Sequence, residues 1–490
     1  MKLNEFNINK LANDVSLAAD LALPKYDRSA TKIGIVHLGL GAFHRSHQAY
    51  YTEQAMNQFG GDWGICGVSM RSTHLRDTMA PQDNLYTVAK LDNQDSFQVI
   101  GAIKEVLVAA EQLDQVLARL SDEATKLVSL TVTEKGYCLD AHGNLDLKNA
   151  SIEQDLANTE NPQSAIGIIA LGLHLRFQAG IKPFNVIACD NLPANGQKLK
   201  NAVVQYCRFL STELSEWVEQ TVCFPNTMVD SITPKTEPET LDLVTEKTGL
   251  VDNAPVQREA FTQWVIEDCL TGEQPNWRDV GVIFSNDVAG YEHTKLRILN
   301  GLHSTLAYFG RVAGFTTVYQ AVSDPTIKAF LLRLVDEEII PSIEAPAGLD
   351  LHAYSRAIIQ RFENSKIQHQ LEQIACDGSI KIPVRSLEPV AENLAKGKPV
   401  KLLAMVVASW LRFIELKVLN SEELSDPLAE KLADVVSQFE QDAIKDVQKF
   451  VSLSGLFNSQ LINSADFKQA FICAYQKLLD AQDYPQGALI

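Results

Sequence analysis

Hydrophobic positions along the chain fall into two textures. In the first, short apolar runs break into loop signals. Ile33-Gly34-Ile35-Val36-His37-Leu38 runs into Gly39-Leu40-Gly41-Ala42-Phe43-His44-Arg45, and the runs Trp63–Val68, Lys126–Val132 and Phe184–Ala188 end in the same way. Such runs read as buried strands, and the stretches between them carry helical spacing, as at Gln48 to Gln58. That alternation predicts an α/β domain with a mostly parallel, doubly wound sheet. From about Tyr291 the texture turns helical, through Leu306–Tyr308, Phe330–Leu334, Leu402–Leu416 and Ala429–Phe439. Pro341, Pro346 and the Ser379–Pro383 region punctuate this half, and no Gly/Ser linker precedes it. The expected organisation is therefore an α/β domain over residues 1–288, opened by a polar lead-in, and a predominantly α-helical domain over 289–490. The site is expected in a cleft between them.

Composition narrows the class of function. With 43 basic and 61 acidic residues among 490, the net charge of −18 would repel a phosphate backbone, so no nucleic-acid partner is expected. The apolar stretch Leu402–Leu411 reaches about half the ~20 residues of a membrane span. The N-terminus lacks the apolar core of a signal peptide, so cytoplasmic residence is the expectation. The eight cysteines never fall in a C-x-x-C pair, which disfavours zinc ribbons and dithiol redox centres and reads as reduced, mostly structural thiols.

Two motifs carry chemistry. Gly39-x-Gly41 between a strand and a helix suits a bound pyrophosphate: a tight turn, close backbone approach and free helix N-terminal amides. His44 stands where a third glycine is common, Arg45 is placed to pair with a phosphate, and Phe43 to supply an apolar wall. The second strand ends at Ser69-Met70-Arg71 with no carboxylate for the ribose, and Arg71 would favour a 2′-phosphate, so NAD and NADP both stay open. His44-x-x-His47 lacks a nearby third ligand, so no metal is expected there.

The second motif is Lys295-x4-Asn300-x2-His303 on a probable helix. At ~100° per residue Asn300 lies about 140° and His303 about 80° from Lys295, so the three share one face and can converge on one ligand, and a local distortion at Gly301 would shorten the axial gap. Asn300-Gly301 is a poor helix-interior pair, which suggests a role beyond local stability. A lysine beside a cationic nicotinamide would have its pKa lowered and act as general base on an alcohol, while Asn and His hydrogen-bond the developing alkoxide.

With these residues in view, the chain resembles the polyol-specific long-chain dehydrogenase/reductases, the family of mannitol 2-dehydrogenase and fructuronate reductase. The resemblance is carried by Ile35–His47, Val128–Cys138, Cys189-Asp-Asn-Leu-Pro-Ala-Asn-Gly196, Phe224–Asp230, Lys295–His303 and Cys376–Pro383. It implies a Rossmann-type domain with a helical C-terminal domain, and metal-independent, NAD-dependent oxidation of a secondary alcohol. It also implies Lys295 as general base, Asn300 and Asn191 as oxyanion donors, and His303 orienting the reacting oxygen. Glu292 would gate proton exit; Asp230 and Lys381 would contact substrate. The cofactor would lie on Gly39, Leu40, Gly41, Ala42, Phe43, His44 and Arg45, with Arg71 near the ribose. The chain departs from the family pattern at Ser231, where Arg is usual, and at Ala260, where Pro is usual.

Substrate choice rests on few residues. Mannitol enzymes place an arginine where Gln373 stands, whereas Gln373 through Arg385 matches the fructuronate reductase pattern, in which Arg385 would pair with a hexuronate carboxylate. D-mannonate/D-fructuronate is therefore the expected substrate pair, with D-mannitol/D-fructose or a related polyol as the alternative. A reading from another class is a nucleotide-binding protein without catalysis; the intact Lys295, Asn300, His303 and Asn191 argue against it. Oligomeric state is not fixed by the sequence.

Overall fold

A computed structural model describes residues 1–11, 20–92, 94–140, 142–452 and 456–481. Two compact units divide the chain, Met1–Ala289 and Gly290–Ile490.

In the first unit five strands form a fully parallel sheet in the spatial order Ile103–Val108, Gly64–Ser69, Ile33–Leu38, Leu127–Leu130, Asn185–Ala188. The first strand in sequence lies at its centre, which makes this the doubly wound arrangement. Its residues alternate between two cores. Ile35 and Ile65 pack on one face with Ala49, Ala55 and Met56 of the Gln48–Phe59 helix. Val36, Leu38, Val68 and Val128 pack on the other, with the helices Ala109–Ser121, Ala165–Ala179 and Asn195–Leu210. Burial on both faces explains why these strands read as unbroken apolar runs. The helices have ordinary reasons to begin where they do: the Ser164 side chain accepts the Gly167 N–H, and Ser211 that of Leu214.

Two smaller sheets complete the unit. Leu21–Ala22, Ser96–Ile100, Tyr86–Lys90 and Val256–Arg258 form a mixed sheet, and Ile283–Ser285, Gln263–Glu267 and Thr227–Asp230 another. The sequence reading had no place for either. Tyr86–Lys90 and Ser96–Ile100 form an antiparallel pair rather than a crossover unit.

The second unit is predominantly helical, with loops between its helices and one isolated bridge, Thr317 to Gln370, among its described residues. Its axis is Lys401–Leu419, a helix with Trp410, Leu411 and Ile414 fully buried, around which Gly301–Val312 and Ala465–Asp480 contribute Leu302, Leu306, Tyr308, Phe471 and Tyr475 to one core. The buried Glu338 carboxylate accepts the Leu402 and Leu403 N–H groups, capping this helix from a neighbouring segment. Ser379–Pro383 does not break the chain as expected. Helix Gly378–Ile382 widens at Pro383 into a π turn, Pro383–Leu387, which accommodates the missing proline N–H. Among the described residues no helix is long and apolar enough to cross a membrane.

Candidate active site

The parallel sheet reverses its winding direction between the strands Ile33–Leu38 and Leu127–Leu130, and the crevice outside their carboxyl ends is where such sheets bind ligands. The two strands are locked together there. Thr131 N–H donates to Leu38 O, Thr131 Oγ1 donates to Gly39 O, and His37 Nε2 lies 3.0 Å from Thr131 Oγ1. Gly39 has φ +90°, and a Cβ on it would stand 2.2 Å from Thr131 O, so only glycine fits. Gly41 is different: a Cβ there would meet only Gly39 O at 3.8 Å, and no side chain caps the Ala42–Ser46 helix that follows. Open space over Gly41 and uncapped amides suit the close approach of a pyrophosphate.

The side chains expected beside it go elsewhere. His44 is buried, stacked on His37 with ring centroids 3.4 Å apart. Arg45 turns inward, donates to Ala254 O at 2.6 Å and lies over the Tyr86 ring, so its guanidinium is taken by the fold and not offered to a phosphate. The helix bends at His47 (φ −121°, ψ −83°), which is how consecutive residues come to face the core. Leu40 packs over Gly67, Ala42 and Phe43 join the same core, and Arg71 is exposed beyond the Gly64–Ser69 strand.

At the neighbouring strand end Asp190 organises two loops. Its carboxylate accepts from Val132 N–H, Thr133 N–H and the Tyr137 hydroxyl. Thr133 is held at φ +65°, a costly conformation for a β-branched residue and one concentrated at functional edges. Asn191 follows Asp190 and is exposed. Asn195 braces the loop by donating to Asp190 O and Thr227 O, each at 3.0 Å. Asp230 ends the Thr227–Asp230 strand and is buried. Asp190 and Thr133 were missed from the sequence; the acid inside Cys189-Asp-Asn-Leu-Pro was the available signal.

In the second unit Lys295 closes the helix Val288–Lys295, and Leu296–Asn300 forms a π turn before the α-helix resumes at Gly301. A π turn bonds i to i+5, which brings Asn300 closer into line with Lys295 than the ~140° of α-helical spacing. The distortion thus lies before Gly301, not at it. Arg297, inside the π turn, pins it: the buried guanidinium donates to both Glu392 carboxylate oxygens, at 2.6 and 2.5 Å, and to Ser342 O at 2.8 Å. Glu292 lies half-buried one turn earlier.

Lys295, Asn300 and His303 are all buried, at 7–8% exposure. Asn300 Nδ2 and His303 Nε2 have no hydrogen-bond partner among the described residues. A buried polar atom left so costs about 1–3 kcal/mol, and both atoms are able to form a hydrogen bond with a ligand. Burial drives the His303 pKa well below the usual histidine value, and the nearby His369, Arg361, Arg385 and Lys295 charges push it the same way. The imidazole is therefore neutral at neutral pH.

Arg385 sits in the π turn Pro383–Leu387, half-buried, with Nη1 donating to Asn300 O and Ser304 Oγ at 3.3 and 3.0 Å. No carboxylate among the described residues pairs with it. Lys381 is tied to Cys376 O at 2.6 Å, with burial and then Arg385 pushing its pKa down. Gln373 is exposed. The structure thus groups Lys295, Asn300, His303 and Arg385. Among the described residues no cluster of three or more His, Cys, Asp and Glu could hold a metal.

A doubly wound unit of the dinucleotide-binding kind and a helical unit bearing a buried lysine, asparagine and histidine together suit an oxidoreductase. Comparison with known proteins places the chain in that class. Residues 33–279 match the mannitol dehydrogenase Rossmann domain and 287–479 the mannitol dehydrogenase C-terminal domain. The chain belongs to the mannitol dehydrogenase family of oxidoreductases. It is 40% identical to D-mannonate oxidoreductase of Escherichia coli K12 over 94% of this chain and 96% of that one. It is 36% identical to mannitol 2-dehydrogenase of Aspergillus fumigatus, over 95% and 94%. Among solved structures, the Pseudomonas fluorescens mannitol 2-dehydrogenase ternary complex with NAD and D-mannitol superposes with a TM-score of 0.82 at 36% identity, covering 98% of this chain and 97% of that one.

Proposed function

We propose that this protein interconverts D-mannonate and D-fructuronate by NAD-dependent hydride transfer, without a metal. The observation that carries the substrate class is Arg385: a half-buried guanidinium beside the Asn300 carbonyl, with Nη1 occupied and no carboxylate of the described residues opposite it. A planar cation in that setting suits a bidentate substrate carboxylate. The relationship to a D-mannonate oxidoreductase agrees with it.

The open turn at Gly41 and the uncapped amides of the following helix would hold the NAD pyrophosphate, and NAD when bound supplies the two-electron acceptor or donor. In the oxidation direction, the neutral Lys295 amine removes the hydroxyl proton while the carbon–hydrogen pair leaves as hydride, giving the ketone. Asn300 Nδ2 donates to the reacting oxygen as charge develops on it. Neutral His303 holds the same oxygen in place through Nε2. In reduction Lys295 returns the proton. A second reading, D-mannitol/D-fructose as substrates, is favoured by the mannitol 2-dehydrogenase relatives.

Arg385→Ala separates the two. Loss of a charge-assisted contact of about 1.5–3 kcal/mol should raise KM for D-fructuronate roughly 10- to 150-fold. KM for D-fructose should move far less, and equal losses on both substrates would remove the carboxylate assignment.

A further inference from the structure

Cys223 and Cys269 are separated by 46 residues in sequence, yet their sulfurs stand 2.6 Å apart. The sheet brings them there. In the antiparallel pair of Thr227–Asp230 with Gln263–Glu267, Thr227 lies opposite Ile266. The pairing continues one step beyond, where Glu267 N–H donates to Asn226 O and Asn226 N–H and Nδ2 donate to the Glu267 carboxylate, each at 2.9 Å. Both cysteine-bearing segments are also fixed to the Asn185–Ala188 strand. Val186 N–H donates to Cys223 O, and Asn185 exchanges hydrogen bonds with Thr271. The two thiols are thus held in mutual contact from two directions.

Their surroundings differ from those of the four buried cysteines. Cys66, Cys138, Cys189 and Cys207 are buried, and burial raises each of their pKa values. Cys269 is exposed and Cys223 half-buried. Either thiol can donate in the Sγ–Sγ contact; that contact lowers the Cys269 pKa and raises that of Cys223. The exposed Cys269 sulfur is thus open to an oxidant, with the Cys223 sulfur in contact behind it.

We propose that Cys223 and Cys269 are a reversible oxidation site of the N-terminal unit, closed to a disulfide by hydroperoxides. The Cys269 thiolate attacks a peroxide oxygen, the O–O bond breaks, and a sulfenic acid forms as the first water leaves. The Cys223 sulfur then attacks the Cys269 sulfur, the S–O bond breaks, and the hydroxyl departs with the Cys223 proton as a second water. The dithiol loses two hydrogens and two electrons, and hydrogen peroxide becomes two waters. The link cross-braces the chain segment that contains Asp230, so the oxidised protein resists unfolding more than the reduced one.

The test treats full-length reduced protein with a small excess of hydrogen peroxide and maps its tryptic peptides. The expected product loses two hydrogens and joins peptide 209–235 to peptide 259–278, each of which contains a single cysteine. Dithiothreitol should separate them. In Cys223→Ser the sulfenic acid on Cys269 should persist and be trapped by dimedone. Peptides that stay separate in the wild type, or a link through another cysteine, would overturn the proposal. A linked protein that melts no higher than the reduced one would overturn the stabilising role.

Discussion

Replacing Arg297 by Met tests whether the π turn between Lys295 and Asn300 depends on its buried anchor. The substitution keeps length and apolar volume but removes three hydrogen bonds, two to Glu392 and one to Ser342 O. Removing one partner of a buried ion pair costs about 3–5 kcal/mol. Glu392 is 40% exposed and can be rehydrated, so the lower end applies to the pair. Ser342 is buried, and its carbonyl loses that donor at a further ~1 kcal/mol. A total near 4 kcal/mol in a unit of this size corresponds to a fall of roughly 8–16 °C in Tm. Calorimetry reads this directly. Because the π turn is what aligns Lys295 with Asn300, kcat should fall as well, at a temperature where the variant is still folded. Glu392→Gln, which keeps an acceptor at the exposed end, should cost much less. An Arg297→Met protein within 2 °C of the parent, with unchanged kcat, would refute the anchoring role.

Three further outcomes follow from the site. Lys295→Ala should lower kcat by several orders of magnitude with NADH binding retained, as measured by fluorescence titration; an unchanged rate would remove Lys295 as the base. Stability should fall on acidification. Burial lowers the His37 pKa to about 3, so the folded state resists a proton that the unfolded chain accepts near pH 6.5. His37 alone then withdraws about 1.3 kcal/mol at pH 5.5 relative to pH 7, its stabilisation being fully present above the unfolded pKa and lost progressively as the pH falls from there toward 3, with buried His44 and His303 acting in the same direction. A Tm flat from pH 7.5 to 5.5 would contradict this. Asp190→Ala should weaken NADH binding by freeing Val132, Thr133 and Tyr137 from their common acceptor, and equilibrium binding with unaltered affinity would count against that role.

What the sequence made legible follows from physics. Ile33–Leu38 and its sister strands are buried on both faces, so they stand out as apolar runs, and the positive φ at Gly39 demanded the glycine that marked the turn. Arg45 misled because residue type near a phosphate turn does not reveal side-chain direction, which a bend two residues later at His47 decided. Helical spacing already put Lys295, Asn300 and His303 on one face, but it could not show the π turn that supplies the i+5 relation, because periodicity assumes an α-helix. Arg385 reached Asn300 through another π turn, opened by a Pro383 that reads as a break. Cys223 and Cys269 meet across a strand pairing that no local spacing encodes.

The most direct measurement compares NADH oxidation with D-fructuronate and with D-fructose in the same preparation of the wild-type protein. Turnover chiefly on D-fructuronate is the expected result and accords with Arg385 facing a carboxylate. Turnover chiefly on D-fructose would contradict the hexuronate assignment and favour a mannitol 2-dehydrogenase.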